Sequence, residues 1–296
     1  MLNQETSHPA QWWERTGDND KVKCLLCPRG CVIAPEKIGF CGVRKNIDGD
    51  LYTLAYGRPV ALNVDPIEKK PLAEFMPGTT TFSLGTFGCN LNCSFCQNDS
   101  LSRGSYSEAE FEHYVSPEDI IELAQRHKCD SVAFTYNEPT VFAEYAIDIA
   151  RLAHENNLKT VLVTNGYITP EAACDLYPLI DAANIDMKGF TPEFYASMTG
   201  SELAPVLHAI KYFYELKKHL EITNLIIPER NDSDEMINNW LDWVETHLDK
   251  STPLHFSAFH PAFNLLDVPP TSPETLYRIR DIAGKRGFRS VYLGNI

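Results

Sequence analysis

Four times the chain repeats one phrase, a hydroxyl residue followed by proline and glutamate: Ser116-Pro117-Glu118, Thr169-Pro170-Glu171, Thr191-Pro192-Glu193 and Ser272-Pro273-Glu274. Each marks a helix start, because the hydroxyl caps, the proline suits the first turn and the carboxylate faces the positive end of the dipole. Short β-rich runs alternate with these starts: Thr81 to Thr86, Ser131 to Tyr136, Lys159 to Thr164, Ala182 to Met187, Glu221 to Ile227, Leu254 to Phe259 and Ser290 to Leu293. The alternation predicts right-handed βα units on a parallel sheet, either open and doubly wound or closing toward a barrel. No Gly-x-Gly-x-x-Gly follows a strand, which argues against a dinucleotide fold. With 296 residues, 44% of them apolar, the chain can bury a sizeable core.

In a barrel of parallel strands the working residues gather where strands end. Cys89, Cys93 and Cys96 follow the first expected strand, Asn137 and Glu138 the second, Thr164 and Asn165 the third, Asp186 and Lys188 the fourth, Pro228 the fifth and His260 the sixth. The cysteines stand with three residues and then two between them. A cubane [4Fe-4S] cluster takes four thiolates, so three on one loop leave an iron open to another ligand. Zinc would want a fourth ligand, which the loop lacks.

A second set, Cys24, Cys27, Cys31 and Cys41, offers four thiolates on a short segment with Pro35, Gly30 and Gly39 for turning. Structural zinc and a second [4Fe-4S] cluster both remain open, and either would supply folding energy to a segment too short to bury its own core. Cys129 and Cys174 read as small buried hydrophobes. The expected division is a loosely ordered N-terminus over 1–21, a cysteine-rich metal-binding module with short strands over 22–78, and the βα domain over 79–296.

A net charge of −14, from 26 basic and 40 acidic residues, argues against nucleic acid and anionic membrane as partners. No export signal or long apolar run is present, so a cytoplasmic protein is expected. The sequons at Asn98 and Asn231 are set aside for the same reason.

The spacing of Cys89, Cys93 and Cys96 resembles the signature of radical S-adenosylmethionine (SAM) enzymes. From Cys24 onward the text is similar to the AmmeMemoRadiSam type, relatives of pyruvate formate-lyase activating enzymes. The similar stretches are Cys24-x-x-Cys27-Pro28-x-x-Cys31, Asp65-Pro66-Ile67-Glu68-Lys69-Lys70-Pro71-Leu72, Thr135-Tyr136-Asn137-Glu138-Pro139-Thr140, Asn184-Ile185-Asp186-Met187-Lys188-Gly189-Phe190 and Leu266-Asp267-Val268-Pro269-Pro270-Thr271. The resemblance implies a partial (β/α)6 TIM-like barrel and a [4Fe-4S] cluster whose open iron holds SAM. It also implies reductive cleavage of SAM to methionine and a 5′-deoxyadenosyl radical that takes hydrogen from a substrate, as in glycyl-radical-enzyme activation or from a small molecule.

By the same resemblance, Phe95, Asn137, Glu138, Thr164, Asn165 and Asp186 are SAM contacts, and Asp186, Lys188 and His260 belong to the catalytic site. Each residue has a plainer reading: Phe95 as cover for the cluster, Glu138 as a helix-start charge, Lys188 as an ion-pair partner of Asp186, and His260 as a satisfied core group. Implied partners are a flavodoxin or ferredoxin donor, a protein substrate, and Memo-like and AMMECR-like proteins by association. The competing class is a non-enzymatic iron-sulfur or zinc scaffold for electron transfer or assembly. Glu74 stands where the family has histidine and is expected to alter the substrate pocket. Glu229 stands where glycine usually follows Pro228, and the family's cysteine-bearing tail is expected to be trimmed or dispensed with.

Overall fold

The strands expected from the βα rhythm all form, each within two residues of its expected bounds, in the computed structural model, which describes residues 7–17, 19–107, 111 and 113–296. In chain order the strands are β1 (His8–Pro9), β2 (Trp13–Arg15), β3 (Val22–Cys24), β4 (Val32–Ile33), β5 (Arg44–Ile47), β6 (Asp50–Thr53), β7 (Ala61–Pro66), β8 (Thr80–Gly85), β9 (Ser131–Phe134), β10 (Lys159–Thr164), β11 (Ala182–Asp186), β12 (His219–Ile226), β13 (Leu254–Ala258) and β14 (Val291–Gly294). Strands β7 to β14 form one eight-stranded sheet in strict sequence order. From β8 to β14 every neighbour is parallel, and β7 runs antiparallel along the β8 edge. Because each right-handed crossover steps the same way, the helices fall on one face.

All four hydroxyl-proline-glutamate phrases start helices. Ser116 forms a reciprocal capping box with Asp119 ahead of Pro117–Arg126, while Thr169, Thr191 and Ser272 accept the amides of Ala172, Phe194 and Thr275. Ser233 caps Asp234–His247 in the same way without a proline.

The two faces of the sheet read off as alternate residues. Val132 and Phe134 of β9, Leu162 of β10 and Ala183 and Ile185 of β11 join the large helix-side core. Ala133, Val161 and Ala182 instead meet Ile67 and Leu72 on the other face, with Phe75 and Val163 beside them. The segment after β7 therefore packs on the inner face of the sheet. Polar groups fasten it: Asn184 Nδ2 donates to the Pro71 carbonyl at 2.7 Å, and the amides of Ala73 and Glu74 donate to Glu221 at 2.9 Å each.

The N-terminus departs from the expected loose segment over 1–21. Residues 1–6 and 18 lie outside the described residues, but β1 pairs with β6 and β2 pairs with β3. The His8 ring stacks on Tyr56 at 3.6 Å. The partners of β1 and of His8 are distant in sequence, so a local reading misses them, whereas β2 and β3 form a local hairpin whose short polar strands lack a clear apolar alternation. Cys129 is buried as expected, whereas Cys174 is exposed on its helix. Among the described residues no helix is long and apolar enough to cross a membrane.

Candidate active site

A cavity of about 370 Å³ opens where β8 to β13 end. The inner-face alternation supplies its floor: Val163 of β10, Asp186 of β11, Thr223 and Leu225 of β12 and Ser257 of β13. Cys89, Cys93 and Cys96 line it from the loop after β8, joined by Phe95, Asn137, Glu138, Thr164, Asn165 and Lys188. Ten of the expected residues thus share one cavity.

The cysteine loop is held by its backbone. Arg29 and Arg103 donate to the carbonyls of Asn90 and Leu91, and the amides of Asn92 and Ser94 donate to Thr199 and Met198 at 2.8 and 2.9 Å. Gly88 enters the loop at φ +96°, and a Cβ there would stand 2.5 Å from the Cys41 carbonyl, so only glycine fits. Asn137 clips the strand end, accepting from the Thr86 amide at 3.0 Å and donating to the carbonyls of Phe87 and Gly88 at 3.2 and 2.9 Å. Asn165 Nδ2 reaches Cys89 Sγ at 3.8 Å and Asn90 Oδ1 at 2.9 Å.

Glu138 is buried and held by three donors. It caps the short 3-10 turn Pro139–Phe142 through the Thr140 amide at 2.9 Å, and it accepts from Thr164 Oγ1 at 2.6 Å and the Asn165 amide at 2.8 Å. Burial raises its pKa although these donors favour the charged form. Its carboxylate stitches the ends of β9 and β10 while still facing the cavity. Lys188 Nζ pairs with Asp186 Oδ2 at 2.8 Å. Burial alone would lower that ammonium's pKa, but Asp186 and Cys93 outweigh it and hold the pKa above the ordinary lysine value. Burial pushes the Cys93 thiol up to about 11, against the pull of Lys188. Phe95 is buried, its ring 6.3 Å from that of Phe194.

Two expectations fail. His260 is exposed, outside the cavity lining, with Nε2 at 3.1 Å from the Asn295 carbonyl. It follows the end of β13, and its contact partner Asn295, not the histidine, lines the cavity. Glu74 does not line the cavity either; its carboxylate accepts from the Tyr292 hydroxyl at 2.9 Å. Sequence reasoning missed Lys69, Lys70, Tyr136, Thr223, Leu225 and Ser257, which line the cavity. The two-residue period of β12 and β13 carries the signal for the last three.

Cys24, Cys27, Cys31 and Cys41 line a second, smaller cavity with Arg44 and Asn90. Asn90 thus separates the two thiol sites, next to Cys89. Among the described residues no three His, Cys, Asp or Glu side chains stand at metal-coordinating geometry. The donor chemistry nevertheless fits soft metals at both cavities. The Arg44 Nε–H is buried without a partner beside the four thiols, as an N–H aimed at an anionic metal-thiolate group would be.

Fold and cavity together define a parallel α/β protein with a three-thiol loop at the strand ends. The radical SAM superfamily model matches residues 83–244, and the chain belongs to that superfamily. The family carries a [4Fe-4S] cluster and SAM. An uncharacterized protein of Methanocaldococcus jannaschii is 42% identical over 287 residues, 97% of this chain and 85% of that one. The 4-hydroxyphenylacetate decarboxylase activating enzyme of Clostridioides difficile is 25% identical over 178 residues, 57% of this chain and 55% of that enzyme. A radical SAM methyltransferase structure from Sphaerobacter thermophilus shares the fold, with a TM-score of 0.55 at 15% identity over 98% of this chain and 78% of that one.

Proposed function

We propose that this chain is a SAM-cleaving enzyme of the AmmeMemoRadiSam type, with a partial (β/α)6 barrel over 79–296 and a metal-binding module over 22–78. One observation carries the reading: the three-thiol loop and the polar ends of β9, β10 and β11 line one cavity. When bound, the cluster and SAM supply a reductive cleavage that gives methionine and a 5′-deoxyadenosyl radical, which takes hydrogen from substrate.

The chain's own residues do the rest. Cys89, Cys93 and Cys96 would hold the cluster, leaving it a position open to SAM. Asn165 directs an N–H at Cys89 and so steadies the thiolate charge. Phe95 covers the site from water. Glu138, locked by three donors, presents a fixed negative dipole toward an ammonium, and Thr164 sets its position. Asp186 and Lys188 form a joined pair that offers a carboxylate and an ammonium to polar groups of SAM or substrate. Cys24, Cys27, Cys31 and Cys41 hold a second metal group, with Arg44 as hydrogen-bond donor to it. A low-potential flavodoxin or ferredoxin supplies the electron, and Memo-like and AMMECR-like proteins are partners by family association. The activating-enzyme relatives make a protein substrate one candidate.

Metal analysis tests the two sites separately. After anaerobic reconstitution, Cys93→Ala is expected to lose about four irons, the content of one cubane cluster, and Cys27→Ala is expected to lose only the second group, whether iron or zinc. Full metal content in either variant contradicts the corresponding site.

A further inference from the structure

One wall of the cavity carries a charge arrangement that cluster binding does not explain. Lys69 and Lys70 both line it, and both turn to the single carboxylate of Asp65, Lys69 Nζ to Oδ1 at 2.9 Å and Lys70 Nζ to Oδ2 at 2.6 Å. Tyr136 also donates its hydroxyl to Asp65 Oδ2 at 2.6 Å, so that oxygen serves two donors. Among the described residues Asp65 is the one carboxylate within ion-pair distance of either lysine. Two ammoniums against one carboxylate leave a positive charge at the cavity wall, in a chain whose net charge is −14.

Lys70 is only 2% exposed, a burial that lysine rarely accepts unless its charge is matched. Burial lowers its pKa and Lys69 lowers it further, while Asp65 alone among the charged groups acting on it pulls the other way. Lys70 also sits 4.5 Å over the face of Tyr136, which fixes its direction. A fixed ammonium such as Lys70, with a second and more exposed one beside it and one carboxylate between them, suits a cavity wall to an anion. Nearby lining supplies apolar walls from Pro71, Val163 and Leu225 and hydroxyls from Thr223 and Ser257, while the carboxylates of Asp186 and Glu138 are already engaged, Asp186 by Lys188 and Glu138 by three donors.

The geometry points to Lys69 and Lys70 as an anion subsite of the cavity, fitted to a small substrate that carries a carboxylate beside an apolar portion. The assignment rests on the reading of this cavity as the SAM site, and it deepens that reading by naming a substrate class. Lys70 is the selective donor, held by Asp65 and Tyr136. Lys69, with its side chain 66% exposed, closes the subsite from the solvent side.

The test uses reconstituted full-length protein without reductant, so that nothing turns over. Wild type, Lys69→Gln and Lys70→Met are titrated with acetate, phenylacetate and succinate and with their uncharged amides, with and without SAM, and binding is read from the melting temperature. Wild type should be stabilised by at least one carboxylate and not by its amide, and either substitution should weaken that carboxylate at least about tenfold. Lys69→Gln keeps the experiment decisive where Lys70→Met fails to fold. Equal response to acids and amides, or carboxylate binding untouched by Lys69→Gln, overturns the subsite. So does loss of SAM binding in the variants with carboxylate binding intact, since the lysines would then hold the carboxylate of SAM itself. Wild type that selects carboxylates and binds no SAM supports the subsite and overturns the SAM reading instead.

Discussion

Glu221 shows how one buried charge sets a stability window. Its side chain is fully buried on the inner face of β12, where His219 Nε2 at 2.8 Å, His255 Nε2 at 2.5 Å and the amides of Ala73 and Glu74 converge on it. Burial favours the neutral acid, yet the histidines and amides hold the pKa down to about 2 from an ordinary 4.5. A depressed carboxylate contributes stability above its unfolded pKa and loses it as pH falls through the folded one. The contribution, roughly 2–3 kcal/mol, is therefore complete above about pH 4.5 and lost toward pH 2. Urea denaturation should show Glu221→Gln less stable at neutral pH, with the gap to wild type closing over that interval. A constant gap would mean that the charge is not what the segment after β7 depends on. At this scale His260 lies outside the cavity, while Glu138 lines it and also caps a turn and joins two strand ends.

Elements were legible in the sequence where local chemistry decides them. Ser116, Thr169, Thr191 and Ser272 cap as their phrases promise, because capping is settled within one helical turn. Removing the hydroxyl and half the capping box in Ser116→Ala should cost about 1 kcal/mol, read as a lower denaturation midpoint, and an unchanged midpoint would contradict the cap's contribution. The triad, Glu138, Asn165 and Asp186 were legible for a related reason, since strand ends fix which residues share a face. Lys69 and Lys70 were not. They precede β8 and reach the cavity only because the segment after β7 packs on the inner face, a long-range arrangement held by Glu221 and Asn184. The strand at 8–9 is illegible likewise, since its partner lies at 52–53, while the hairpin of 13–15 with 22–24 is local but too short and polar to show a strand period.

At the scale of the whole molecule, a buried ion pair ties the cysteine-rich segment to the helical layer, beside hydrogen bonds such as that from Thr169 to the Leu25 carbonyl. Arg44 and Glu144 meet at 2.8 Å with 1% of each side chain exposed, and Glu144 also accepts the Gln11 amide. Removing one partner leaves a buried charge alone, so Glu144→Ala should cost about 3–5 kcal/mol and expose residues near Cys24 to proteolysis. A loss of stability with no change in cleavage there would place the pair's contribution elsewhere. The pair matters because Cys41 and Gly88 touch, which sets the four-thiol site against the triad loop. A cluster held by the triad and able to cleave SAM, as proposed, is tested most directly by its products. Protein reconstituted anaerobically, reduced with dithionite and supplied with SAM should release 5′-deoxyadenosine and methionine, and Cys93→Ala should release neither. A fully loaded, reduced cluster that leaves SAM intact would contradict the account.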